Sequence, residues 1–193
     1  PITEAALLTG PLEETNEAYA IAKIAGLKMC QFYKRQYGRH YISAMPTNLY
    51  GPYDRFDAQA SHVIPAMMMK FHNAGASVDV WGTGNPLREF LHADDLAEAL
   101  LLLMQNYDGE APINVGSGEE ISIKDLAILM KNVTGFTGAL QFDNTKPDAT
   151  PRKLLDSSPL RALGWTPKIN FETGVRQTYD WYCETYGGVR KSA

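Results

Sequence analysis

The sequence contains little that would cross-link it, hold it on nucleic acid or sink it in a bilayer. It has two cysteines, Cys30 and Cys183, in 193 residues. They fall on separate predicted helices without metal-type spacing, which argues against a disulfide scaffold or a zinc site; both are expected to be buried small hydrophobes. Basic side chains do not outnumber acidic ones: 18 Lys and Arg against 22 Asp and Glu leave a formal charge of -4. There is then no general field for a phosphate backbone, so no nucleic-acid partner is expected, and any phosphate must be gripped by local cations. Apolar runs are short. The stretch 100–104 is far below the roughly 20 residues that span a bilayer, and no basic segment followed by an apolar one opens the chain. No membrane partner is expected, and the cytoplasm is the default compartment. No repeat, low-complexity tract or linker interrupts the pattern. The first residue is Pro1, and residues 1–12 read as a loop of a longer protein, so a large amino-terminal part is expected to be absent.

What is present is enough to fold, since 45% of residues are apolar and 21% charged. Thr15 or Asn16 can cap a long helix that ends at Gly38, a residue suited to the left-handed stop. Residues 40–45 mix aromatic and β-branched side chains ahead of Pro46 and read as a strand ending at Thr47 or Asn48. Residues 49–61, rich in Gly, Pro, Asp and aromatics, read as a ligand-covering loop. A helix over 63–73 follows, then strands at 78–81 and 88–91 around a turn at 82–86. A further helix starts at Asp94 or Asp95 and runs to Asn106. Next come a strand at 113–115, a helix from Ser122 to Gly135, a strand at 140–142 and a polar loop at 144–152. Ser158 reads as a cap with Pro159 in the first turn, and 171–186 as the last helix. Helices leading into strands predict an α/β body with a parallel layer. The run Met67-Met68-Met69 is expected to fill helix core.

Tyr19 and Lys23 lie four apart on the first helix and project from one face. A free tyrosine, with a pKa near ~10, is a poor acid-base group at neutral pH; a neighbouring ammonium favours its phenolate and brings it toward working range. The spacing alone is common on amphipathic helices. Its context is less so. The phrase Tyr19-Ala20-Ile21-Ala22-Lys23 is followed, after a strand, by Pro46-Thr47-Asn48-Leu49-Tyr50-Gly51-Pro52, and together these resemble the extended short-chain dehydrogenase/reductases. Three further phrases follow in order: Ser61-His62-Val63-Ile64-Pro65, the run 81–92 from Trp81 to His92, and the run 146–153 from Lys146 to Lys153. In that order they are similar to the GDP-L-fucose synthases of that family, over nearly the whole chain.

The resemblance implies the carboxyl-terminal part of a Rossmann-type parallel sheet with a smaller α/β substrate-binding domain. Residues 1–60 would be the remnant of the NADP-binding domain. Residues 61–193 would be mainly substrate-binding, with some segments returning to the sheet. It implies NADP(H) as cofactor, GDP-4-keto-6-deoxy-D-mannose as substrate and a homodimer. By the same resemblance Tyr19 protonates the keto oxygen, and Lys23 tunes it while holding the nicotinamide ribose. Pro46, Thr47, Asn48 and Leu49 lie against the nicotinamide. His62 is the acid in epimerisation and also lies near the cofactor. Lys70, Trp81, Arg88, Asp148 and Lys153 contact the GDP-sugar.

Read without the resemblance, each has a plainer meaning. His62 is a solvated residue at a helix start, Trp81 is core, Lys70 and Arg88 are surface cations, and Asp148 initiates a turn. Gly82 and Gly84 beside Trp81 leave room for a ligand on the indole, and a diphosphate suits the planar fork of an arginine. The resemblance also implies a glycine-rich strand-turn-helix, a serine and a catalytic cysteine ahead of Tyr19. None is found there, and neither Cys30 nor Cys183 holds the cysteine's place, so this chain alone is expected to be inactive or nearly so.

Overall fold

A computed structural model describes residues 1–57, 61–148 and 150–187. Helix α1, Glu17–Tyr37, follows a single 3-10 turn and stops at Gly38 in the left-handed region, φ 61°. Neither expected cap forms. Asn16 occupies the cap position without a side-chain bond; its amide group, like the amide and hydroxyl of Thr15, donates instead to the Glu13 carboxylate. The expected strand at 40–45 is displaced and divided, into β1, Ala44–Pro46, and β2, Asn48–Tyr50. Pro46 lacks a donor for the ladder, and at Thr47 the chain changes partner: β1 pairs in parallel with β5, Ile113–Val115, whereas β2 pairs in parallel with β4, Leu87–His92. The loop expected from 49 therefore opens as strand. The domain boundary expected at 60 and 61 falls on 58–60, outside the described residues, as does Ala149 of the 144–152 loop.

Strand β4 is the hub. It is buried on both faces and also pairs antiparallel with β6, Glu120–Ser122, and in parallel with β8, Arg152–Lys153. Neither short strand has a periodic pattern of its own. A separate parallel pair, β3, Ser77–Trp81, with β7, Ala139–Asp143, runs in register from Ser77 opposite Ala139 to Trp81 opposite Asp143.

The main core lies between these strands and three helices: α2, Val63–Asn73; α4, Ile123–Thr134; and α6, Phe171–Tyr186. Helix spacing sets the contributors. Ile64, Met68 and Phe71 of α2 meet Leu126, Met130 and Val133 of α4, and Val175, Tyr179 and Tyr182 of α6. Each fully buried large side chain contributes on the order of 1.5–3 kcal/mol. Met68 is buried and its neighbours Met67 and Met69 pack partly against it, as core filling requires. Ser122 caps α4, accepting from the Asp125 amide at 2.9 Å, and Gly135 closes it at φ 68°.

A second core joins Leu91, Ile113, Val115, Leu160 of α5, Ser158–Ala162, and Trp165 to Ala99 and Leu103 of α3, Ala93–Asn106. The cap of α3 is His92, whose Nδ1 accepts from the Asp94 amide at 3.2 Å, so Asp94 and Asp95 sit inside the helix. Likewise Ser158 is the first residue of α5 rather than its cap. Cys183 is buried and desolvation pushes its thiol up, whereas Cys30 is only half-buried. Among the described residues no helix is long and apolar enough to cross a membrane.

Candidate active site

Two clefts adjoin at the first turn of α2. One, of about 570 Å3, is lined by Tyr19, Pro46, Thr47, Asn48, Leu49, His62, Val63, Phe90 and Lys153. The other, of about 430 Å3, is lined by Val63, Met67, Lys70, Val80, Trp81, Arg88, Pro147 and Asp148. Val63 borders both. The predicted residues thus gather into two neighbouring groups, with one rearrangement: Lys153, expected with the substrate contacts, stands on β8 in the cleft that holds Tyr19. A third cavity, of about 380 Å3 around Tyr50, His92 and Asp95, contains none of them.

Tyr19 lines the first cleft, and helical spacing puts Lys23 beside it on α1. Lys23 Nζ lies 5.5 Å from the centre of the Tyr19 ring, on an exposed face of α1. Opposite, residues 46–49 are held between β5 and β4. The Thr47 amide donates to the Val115 carbonyl at 3.0 Å, and the Thr47 hydroxyl and Asn48 amide group both donate to the Glu89 carbonyl, at 3.2 and 2.8 Å. His62 is exposed at the entrance, its Nδ1 3.7 Å from Asp54 Oδ1. That carboxylate is fixed by the Arg55 amide at 2.7 Å, so Asp54 is a neighbour of His62 that spacing did not reveal.

Glu89 was also missed. Its carboxylate is fully buried and accepts the amides of Gly118 at 2.7 Å and Leu155 at 3.0 Å. One side chain thereby joins β4 to the segment carrying Lys153, while its carbonyl holds 46–49. A carboxylate this deep must have its lone pairs satisfied, and backbone donors do so here. The available signal was a charged pair, Arg88-Glu89, inside an otherwise apolar strand.

In the second cleft the alternation of β3 sends Val78 and Val80 into the core and leaves Trp81 outward, 69% exposed. Arg88 is buried to 9% exposure, and its guanidinium donates to the Leu87 carbonyl at 2.7 Å. Burial pulls it below the usual arginine range; a guanidinium remains a cation nonetheless. A fork held in a partly desolvated wall is well suited to an anionic ligand, because both the charge and the geometry are fixed. Lys70 reaches the Asp79 carbonyl, which directs its ammonium along β3 toward the same cleft. The Asp148 carboxylate faces Thr83, which donates to it from its amide at 2.9 Å and its hydroxyl at 2.7 Å.

Residues 1–116 match the NAD dependent epimerase/dehydratase family. The chain is 59% identical to GDP-L-fucose synthase 1 of Arabidopsis thaliana over 186 residues, covering 94% of this chain and 58% of that one. It is 50% identical to GDP-L-fucose synthase of Escherichia coli over 203 residues, covering 98% and 63%. Among solved structures, a GDP-L-fucose synthetase from Naegleria fowleri bound to NADP superposes with a TM-score of 0.91 at 36% identity, over 99% of this chain and 63% of that one. The chain therefore spans about three-fifths of the length of these relatives.

Proposed function

The chain belongs to the NAD dependent epimerase/dehydratase family, and from that premise we propose that it carries the catalytic helix and substrate cleft of a GDP-L-fucose synthase. Such an enzyme is an NADPH-dependent 3,5-epimerase and 4-reductase acting on GDP-4-keto-6-deoxy-D-mannose. The observation that carries the reading is the junction at Val63. Tyr19, with Lys23 beside it on α1, shares one cleft with 46–49, His62 and Lys153, next to a cleft with an exposed indole and a fixed arginine. A nucleotide-sugar laid across Val63 would put its base and diphosphate near Trp81, Arg88 and Lys70 and its sugar near Tyr19.

The first cleft fits the nicotinamide end of the dinucleotide. It lies where β1 and β2 diverge to different partners, at the carboxyl ends of parallel strands where ligands of α/β sheets sit. Bound there, the reduced nicotinamide supplies a hydride to carbon 4. The protein's part is proton placement and orientation. The carbonyl at carbon 4 acidifies carbons 3 and 5; transfer of a proton from either carbon to a base outside this chain, the cysteine that the resemblance implies ahead of Tyr19, would give an enolate, and His62 would return a proton to the opposite face. Tyr19 then protonates the oxygen at carbon 4, with the Lys23 ammonium beside it offsetting the charge left on the phenol oxygen. Cys30 lies against Met29, Tyr33 and Tyr41 and Cys183 within α6, so neither is placed as the base.

Residues up to 60 are proposed as the cofactor side and those after 61 as mainly the substrate side; the pairing of β5 with β1 and of β4 with β2 supports a return of the chain to the first body. The apolar, exposed Ile21, Met29 and Phe32 of α1 support burial against a second copy in a homodimer. Water-soluble reactants favour the cytoplasm. In the enzyme that carries this chain, NADPH oxidation should depend on GDP-4-keto-6-deoxy-D-mannose and yield GDP-L-fucose. In deuterated solvent, His62→Asn should retain NADPH binding but suppress exchange at carbon 3 or carbon 5. A product reduced without inversion, or unchanged exchange at both carbons, would overturn the assignment.

A further inference from the structure

Two parallel strands that end level with one another release their loops side by side, and Thr83 joins those loops. β3 and β7 stay in register to Trp81 and Asp143, and the Gly82 amide donates to the Asp143 carbonyl at 3.0 Å. Residues 82–86 and the segment that follows Asp143 leave together. Between them Thr83 gives its amide to Asp148 Oδ1 at 2.9 Å and its hydroxyl to Asp148 Oδ2 at 2.7 Å. That hydroxyl accepts the Asn85 amide at 3.2 Å, which directs its hydrogen to the carboxylate. A Cβ on Gly82, at φ 80°, would come within 2.1 Å of Asp148 Oδ1, so glycine permits the approach. Thr83 occupies both carboxylate oxygens from one side. On the same segment Lys146 Nζ lies 5.7 Å from the centre of the Trp81 ring, and Pro147 and Asp148 form the cleft wall beside that indole.

We propose that Asp148 serves ligand binding through Thr83, the pair forming a latch that holds Lys146, Pro147 and Asp148 as the outer wall of the base subsite of a nucleoside diphosphate. Thr83 is then a positioning residue, and Asp148 is a strut of the wall rather than a reader of the ligand. The inference rests on the reading of this cleft as a GDP-sugar site. A wall fixed before the ligand arrives removes the cost of ordering the segment on binding. Because it borders the non-reacting end of the substrate, its loss belongs in affinity and KM, with kcat little changed.

The test is calorimetric titration with GDP of the wild-type protein, Thr83→Val, Asp148→Asn and the double variant, with folding checked by thermal melting. Each single change should weaken GDP about three- to tenfold, the range for one or two neutral-to-charged hydrogen bonds at an exposed site. The double variant should be no weaker than the weaker single, since both delete one interaction. Thr83→Ser, which keeps the hydroxyl, should restore binding. Thr83→Val with wild-type affinity, or losses that multiply in the double variant, would overturn the latch, the second by showing that Asp148 meets the ligand directly. Wild-type protein that does not bind GDP would instead overturn the reading of the cleft, and the latch with it.

Discussion

Helix α1 and the α2–α4–α6 body place reactive groups by opposite means. α1 has 21 residues and buries none of them; α2 has 11 and buries Ile64, Pro65, Met68 and Phe71. What fastens α1 is polar and sits near its carboxyl end: Gln31 donates to the Glu110 carbonyl at 2.9 Å, Arg35 to the Glu110 carboxylate at 2.8 Å, and Lys34 pairs with Asp108. Exposed pairs of this kind contribute little stability. Tyr19 is at the other end. The proposed proton donor thus rides on a helix that buries no residue within this chain, while Arg88 and Trp81 ride on strands backed by a closed core. The two proposed roles, catalytic geometry and ligand grip, therefore have separate physical foundations.

Four substitutions and one titration probe that separation. The largest effect is expected in the body: Leu126→Ala, at a fully buried site, should destabilise by about 2–5 kcal/mol in denaturant unfolding. Next is Tyr19→Phe in the enzyme carrying this chain. Reduction should fall about a hundredfold or more with the unfolding midpoint unmoved, because the ring is kept and only the transferable proton is lost. Near-normal turnover would remove Tyr19 from the chemistry. Arg88→Ala should weaken GDP roughly tenfold in a binding titration through loss of a charge-assisted contact; equal affinity would move the diphosphate elsewhere. Phe32→Ala on α1, 56% exposed within the single chain, should change the stability of the dissociated monomer by less than about 0.5 kcal/mol, its cost falling on the proposed homodimer instead. A cost of about 2 kcal/mol or more in the monomer would break the comparison, because it would mean that another part of the same chain covers that face.

The smallest effect concerns pH. The Lys34 and His40 contacts hold Asp108 below the usual carboxylate range, and the Arg35 hydrogen bond does the same for Glu110. A carboxyl lowered in the folded state contributes stability above its unfolded value and loses it as pH falls through the folded one. Acidification through and below the ordinary carboxylate range should therefore speed amide exchange in the last turns of α1 and leave α4 protected. Equal loosening of both would deny α1 its separate anchorage.

Helices were legible because their signals are local: glycine stops at Gly38 and Gly135, the Ser122 cap, and apolar spacing in α2 and α4. Trp81, which on a strand reads plainly as core, is instead outward, as the room left by Gly82 and Gly84 suggested. The strands of two or three residues were less so. β2, β6 and β8 exist because β4 offers them edges, and pairing across long separations leaves no periodicity in two or three residues. The cap expected at Asp94 lost to His92, which accepts the Asp94 amide, while Thr15 and Asn16 give their side-chain donors to Glu13 and leave α1 without a side-chain cap. Tyr19, Lys23 and residues 46–49 could be read from spacing and phrase together. Glu89 and Thr83 act by meeting chain far away in sequence, so spacing could not indicate them, and Asp54 meets His62 from within a segment that carries no periodic signal.

The in-register ending of β3 and β7 bears on how this cleft could be remodelled. The two loops that follow emerge at one level and reach the ligand's outer end without contributing to either core. Grafting residues 82–86 and 144–151 together, as a matched pair, would therefore change which nucleobase is accommodated while leaving the proton-transfer groups on α1 untouched; grafting one alone would leave a seam without its clasp. On the proposed reading of this cleft, nucleotide preference is an exchangeable cassette.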